Sequence, residues 1–205
     1  MQTVVLATGN AGKLLELQEL LHGLSIIVRA QAEFAVPEIE ETGLSFAENA
    51  LLKARNAAEM TGLPALADDS GLAVDALQGA PGIYSARYAG CGATDKANRN
   101  KLLADMQNLA DTDRSARFHC ALVYLRYPED PVPLICQASW HGAIAFEARG
   151  EHGFGYDPLF IPEGMHMTAA ELAPAEKQRL SHRAKAMQQL HAALFYTTRG
   201  GRNVK

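Results

Sequence analysis

The 205-residue chain is 48% hydrophobic and 20% charged, enough apolar side chain for a full core and too little charge for a disordered protein. A formal net charge of -4 and a pI near 6.0 exclude nucleic acid as the main partner, because that binding draws on a concentrated basic surface. Three cysteines, Cys91, Cys120 and Cys136, without a CxxC spacing, support neither a disulfide framework nor a zinc site, and no window approaches a membrane span. The first six residues read as a short strand, without the basic start and long apolar stretch of an export signal. A protein of the reducing cytoplasm without a membrane partner is therefore expected, as one domain over residues 1–198, with two lobes, and a flexible tail over 199–205.

Residues 2–8 read as a buried strand, and Leu14, Leu17, Leu20 and Leu21 recur at helical spacing. Gly9-Asn10-Ala11-Gly12-Lys13 is then a strand-to-helix turn, where free N–H groups and a lysine suit an anion. It is not a Walker loop, since two residues separate its glycines and Leu14 follows the lysine. A lysine in a first helical turn opposes the helix dipole unless an anion offsets it. Residues 25–30 suit a second strand, which makes a strand-helix-strand unit and an α/β architecture. Glu38, Glu40 and Glu41 form an acidic loop, one of whose carboxylates could ligate a metal, although a charge run is usually solvated. Ser45-Phe46-Ala47-Glu48 is a capping box opening a helix to about Met60. Its apolar stripe takes Phe46, Leu51 and Ala54, leaving Asn49, Lys53 and Asn56 for other faces, with Lys53 in solvent.

The chemistry centres on Leu66-Ala67-Asp68-Asp69-Ser70-Gly71-Leu72, two adjacent carboxylates within an apolar run. The flanking apolar residues suggest strands that end at the pair, and alternation lets one Asp enter a site while its neighbour faces away. Such a carboxylate can hold a hard cation or take a proton from water; the alternative is a turn in which both side chains cap backbone groups. Residues 79–88 are rich in turn formers and read as a tight loop, with Arg87 either a phosphate contact or a surface residue. Residues 94–109 look helical, and residues 116–127 and 134–146 look like long strands joined by a proline-rich turn, so the sheet should be mixed. His119 and Cys120 read as core or cross-strand residues.

In Phe154-Gly155-Tyr156-Asp157 aromatics alternate with glycine; such rings either stack on a planar base or plug the edge of the core. Residues 168–172 suggest a short helix, and Pro174 the first turn of the next. Lys177, His182 and Arg183 could converge only if that helix breaks near Ser181, because on one straight helix His182 and Arg183 would lie roughly 140° and 120° from Lys177.

In order along the chain, Thr8-Gly9-Asn10-Ala11-Gly12-Lys13, Glu40-Glu41-Thr42-Gly43, Ala67-Asp68-Asp69-Ser70-Gly71-Leu72, Gly82-Ile83-Tyr84-Ser85-Ala86-Arg87, Phe154-Gly155-Tyr156-Asp157 and Ser181-His182-Arg183 closely resemble the inosine triphosphate pyrophosphatase family, in its bacterial dITP/XTP branch. The resemblance implies an ITPase-like α/β fold, a long mixed sheet flanked by helices in two lobes with a central substrate cleft. It also implies a magnesium-dependent cytoplasmic homodimer that hydrolyses ITP, dITP and XTP to the monophosphate and pyrophosphate. Thr8, Gly9, Asn10, Ala11, Gly12 and Lys13 would bind the triphosphate, Asp69 would be the proton acceptor and a metal contact, and Ser70 would touch substrate. Phe154, Gly155, Tyr156, Asp157, Lys177, His182 and Arg183 would hold the base. Glu40 is taken as the second magnesium ligand, with Glu41 close behind. Two other classes stay open from the residues: a nucleotide sensor without turnover, and a phosphotransferase forming an aspartyl-phosphate at Asp68 or Asp69.

Overall fold

The computed structural model describes residues 2–21 and 26–200. Six strands form one mixed sheet in the order β2-β1-β3-β4-β5-β6. Strand β1 (Gln2–Ala7) runs parallel to β2 (Ile26–Ala30) and to β3 (Ala65–Val74), while β5 (Leu134–Ile144) is antiparallel to β6 (Phe160–Pro162). Strand β4 (Ser115–Leu125) lies between β3 and β5. Helix α1 (Ala11–Leu21) joins the parallel pair β1 and β2, so the strand-helix-strand unit expected at the amino terminus is present.

The chain divides into two compact units. The first takes residues 1–69, 120–138 and 183–205. Its core has two parts, and the alternation of strand side chains separates them. Val4, Leu6 and Leu66 pack with Leu17 and Leu21 of α1 and with Ala186, Met187 and Leu190 of α5 (His182–Gly200). Val5, Ala7, Ala65 and Ala67 pack instead with Ala50, Ala54, Ala57 and Ala58 of α2 (Phe46–Thr61). The alanine stripe lets α2 lie close to the strands, and Ser45 caps it by accepting from the Glu48 N–H, as the capping box requires.

The second unit takes residues 70–119 and 139–182. Leu72, Phe118, Trp140, Ile144, Tyr156 and Phe160 form its core with Leu102 and Met106. Helix α3 (Asp95–Asp105), capped by Thr94, supplies Leu102. Residues 79–88 are more ordered than a plain loop: they carry a 3-10 turn over Gly82–Arg87, and Arg87 lies over the Tyr84 ring.

Two expectations are corrected. Strand β3 runs unbroken through Asp68 and Asp69, since Ser70-Gly71-Leu72-Ala73-Val74 keeps the extended pattern and no turn intervenes. The expected helix at 168–172 is a turn: the Thr168 N–H is taken by the Glu171 carboxylate, and Pro174 opens α4 (Pro174–Leu180) too soon for a second helical turn to form. Helix α5 (His182–Gly200) takes in the first two residues of the expected tail, and residues 201–205 lie outside the described residues.

Candidate active site

Side-chain alternation in β3 sends the two carboxylates in opposite directions. Asp68 shares the face of Leu66 and meets α1 and α5, whereas Asp69 shares the face of Ala65 and Ala67 and meets α2. Their environments then differ in charge. Asp68 is fully buried; its Oδ1 pairs with Lys13 Nζ at 2.6 Å, and its Oδ2 accepts from Arg183 Nε at 3.0 Å and from the Cys120 thiol at 3.2 Å. Burial alone would raise this carboxyl, but Lys13 and Arg183 hold it well below the usual carboxylate range. Arg183 in turn pairs with Glu16, one turn along α1 from Lys13, so a chain of alternating charges leaves α1 and returns to it. An Asp68 so engaged is a poor base and a poor nucleophile, which weighs against an aspartyl-phosphate there.

Asp69 is arranged otherwise. Its Oδ1 accepts from Lys53 Nζ at 2.8 Å, while its Oδ2 is buried and has no hydrogen-bond partner. Burial pushes this carboxyl above its ordinary value, and Glu41 reinforces that rise against the pull of Lys53 and Lys13. Lys53 also reaches Glu41 Oε1 at 3.1 Å. Its burial would lower the ammonium, but Asp69 and Glu41 outweigh this and raise it. Lys53 therefore lies between two carboxylates, not in solvent as its composition suggested. Glu40 is exposed, so Glu41 is the glutamate that shares a lysine with Asp69. Asn49 is also buried, and its Oδ1 accepts from the Gly43 N–H at 2.8 Å, fixing the end of the acidic loop against α2. The signal for Lys53 was present: Asn49 and Lys53, four residues apart, flank an unbroken alanine stripe. Glu16 could have been found in the same way, three residues from Lys13 on a helix whose Leu17 and Leu21 face inward.

The turn before α1 is organised by Asn10, whose side chain accepts from the Lys13 N–H at 3.0 Å, and by Thr8, whose hydroxyl accepts from the Asn10 N–H at 3.2 Å. A Cβ at Gly9 would overlap the Glu38 carboxylate, which would have to swing aside. Thr8, Gly9, Asn10, Gly12 and Lys13 are thus brought to one turn, with Ala11 as the first residue of α1. Ser70 follows Asp69 in β3 and is half-buried.

The second unit holds a separate group. The Asp157 carboxylate accepts from the Phe154 N–H and from Lys177 Nζ through Oδ2, each at 2.8 Å. Lys177 Nζ also stands 5.1 Å from the centroid of the Phe154 ring. Gly153, at φ 77°, is needed there because a Cβ would fall 2.1 Å from Asp157 Oδ2. The two aromatics of the motif divide the alternatives between them: Tyr156 plugs the core with its hydroxyl donated to Ser85 O at 2.9 Å, while Phe154 stays half-buried. Burial pushes the Tyr156 hydroxyl well above its ordinary value. The break expected at Ser181 is present, since that residue is extended between α4 and α5. His182 stacks on Phe118 with centroids 4.8 Å apart and rings 9° from parallel. Of the residues expected at the base, the structure brings together Phe154, Asp157 and Lys177, and places Arg183 with Asp68 and Glu16.

The Ham1 family model matches residues 4–193. Similar proteins include a dITP/XTP pyrophosphatase from Thioalkalivibrio sulfidiphilus (strain HL-EbGR7), 60% identical over 185 residues that cover 90% of this chain and 94% of the relative. Another, from Salmonella paratyphi A (strain ATCC 9150 / SARB42), is 59% identical over 194 residues, covering 95% and 98%. A HAM1 protein from Coxiella burnetii matches in structure with a TM-score of 0.89 at 52% identity, over 96% of this chain and all of the other. The Ham1 protein of Staphylococcus aureus gives 0.85 at 38% identity, with the same coverage. Motif order, fold and coverage agree along nearly the whole chain, which therefore belongs to the Ham1 family.

Proposed function

We propose that the protein hydrolyses deaminated purine nucleoside triphosphates, namely ITP, dITP and XTP, to the nucleoside monophosphate and pyrophosphate, clearing them from the nucleotide pool before they enter DNA or RNA. The observation that carries this reading is Asp69, a buried carboxylate with one oxygen held by Lys53 and the other without a hydrogen-bond partner. A carboxyl raised by burial and oriented by one cation is suited to accept a proton from an attacking water. Catalysis of displacement at phosphorus depends mostly on positioning and on neutralising charge, and lysines, a helix-initiating turn and an oriented base supply those elements. The names carried by the relatives point to the same substrates.

In this reading the turn from Thr8 to Lys13 takes the phosphates, and Asp68 orients the Lys13 ammonium. Phe154 offers a ring face to the purine, while Lys177 and His182 supply donors for the oxygen at carbon 6 of hypoxanthine or xanthine. Adenine presents an amino group there, and a donor facing a donor costs about 1–3 kcal/mol. Guanine shares that oxygen and must be rejected through its 2-amino group.

Magnesium is the fitting cofactor. The unpartnered Asp69 Oδ2 offers an anionic oxygen, with Glu41 as the nearer glutamate. Among the described residues no three His, Cys, Asp or Glu side chains gather at one point, and magnesium is commonly held by one or two carboxylates with water and substrate phosphates completing its shell. When bound, the ion would neutralise charge on the phosphate oxygens. We take the working species to be a cytoplasmic homodimer, which light scattering on the purified protein tests.

The decisive experiment incubates the protein with a panel of nucleoside triphosphates and magnesium in ¹⁸O-water. Release of pyrophosphate with labelled inosine monophosphate is expected, with ATP and GTP turned over far more slowly. Orthophosphate with a nucleoside diphosphate would refute the reading, and tight ITP binding without products would favour a sensor.

A further inference from the structure

Helix α3 carries two opposite charges, Asp95 and Arg99, four residues apart on one face, the spacing at which a helical ion pair normally forms. Among the described residues no such pair joins them. Each charge is instead directed at the backbone of one loop residue: Asp95 Oδ2 accepts from the Gly155 N–H at 2.7 Å, and Arg99 Nη1 donates to Gly155 O at 2.7 Å. Both polar groups of Gly155 are thereby held by charged side chains, the stronger kind of hydrogen bond.

The helix that does this is itself anchored. Asn98, between the two, is buried and holds Ala86 O at 3.1 Å and the Ala89 N–H at 2.8 Å, and Leu102 and Met106 lie in the core with Tyr156. Gly155 lies between Phe154, whose N–H is fixed by Asp157, and Tyr156, whose hydroxyl is fixed on Ser85 O. Turning the Gly155 peptides would swing the Phe154 ring away from Lys177 Nζ. We infer that Asp95 and Arg99 are positioning residues, which set the orientation of Phe154 and so the affinity for the purine base by clamping Gly155 from α3. This role rests on the pyrophosphatase reading and adds to it two residues that touch neither phosphate nor base.

The test uses the full chain with Asp95→Ala, Arg99→Ala, the double variant, and the conservative Asp95→Asn and Arg99→Lys. Steady-state kinetics with ITP should show KM raised about tenfold in each alanine variant with kcat within twofold, since the Asp69 group is untouched. The double variant should be little worse than either single one, because both bonds fix the same residue. Asp95→Asn and Arg99→Lys, which keep an acceptor and a donor, should recover most of the loss, and Lys96→Ala on the same helix should behave as the parent. Amide hydrogen exchange across residues 154–157 gives a second readout, expected at least tenfold faster in the alanine variants. An unchanged KM, a fall in kcat at constant KM, or a loss shared equally by the conservative variants would overturn the positioning role. If the parent did not hydrolyse ITP, the pyrophosphatase reading would fail by itself, and unchanged exchange at Gly155 would still be the result that refutes the clamp.

Discussion

Replacing Arg183 by methionine keeps the length of the side chain and removes its charge. Asp68, fully buried, would then keep Lys13 and the Cys120 thiol but lose the guanidinium, and Glu16 would lose its pairing with Arg183. Removing one member of a buried ion pair typically costs about 3–5 kcal/mol; the retained Lys13 places this case near 3, or roughly 6–12 °C in Tm for a chain of this size. Thermal and urea unfolding followed by circular dichroism measures it. The single tryptophan, Trp140, belongs to the second unit, so its fluorescence tells whether that unit unfolds with the first. The pH dependence gives an independent check. Asp68 is held below its unfolded value in the native protein, so its contribution is fully present above about pH 4 and is lost as the pH falls below that. Arg183→Met weakens the depression, and its deficit should therefore shrink in acid. Asp68→Asn combined with Arg183→Met should recover part of the loss, since no buried anion is then left underpaired. A deficit under about 1 kcal/mol at pH 7, or one that stays constant down to pH 2, would refute this account of the buried charges.

Asp69→Asn should lower ITP turnover by about 10²–10⁴-fold while calorimetry shows nucleotide still bound; turnover within a few-fold of the parent would move the base elsewhere. Lys53→Met removes the cation that opposes the rise of Asp69; the proton then binds Asp69 more tightly, so the acidic limb of kcat/KM should move to higher pH, and an unmoved limb would dissociate the two. Lys13→Ala should weaken triphosphate binding far more than monophosphate binding in titrations, and equal weakening would place Lys13 away from the outer phosphates. Phe154→Ala should raise KM for ITP and ATP by similar factors, because stacking is indifferent to the edge of the base.

Much of the molecule was legible in its residues because local rules carried it. The period-3.6 leucines of α1 and the capping box of α2 each follow from neighbours within a few positions. The opposite facing of Asp68 and Asp69 is of the same kind, because strand alternation allows nothing else. The short piece at 168–172 failed since its composition suits a turn as well as a helix, and Pro174 decided between them.

Which carboxylate serves which purpose was beyond any local rule. By sequence the two aspartates are equivalent neighbours; they differ because α1 and α5 bring Lys13 and Arg183 to one face of β3, and α2 brings Lys53 and Glu41 to the other. Lys53 lies 16 residues from Asp69, and Arg183 lies 115 from Asp68. The placement of Arg183 on Asp68 and the division of labour between Phe154 and Tyr156 were decided in the same way. The sequence alone determined most of the elements, the order of the motifs and the types of chemical group present. Only the tertiary structure decided which carboxylate has both oxygens engaged by cations and which keeps one oxygen without a hydrogen-bond partner, because burial and the sign of the nearest charge set a carboxylate's behaviour, and both come from residues far away in the chain.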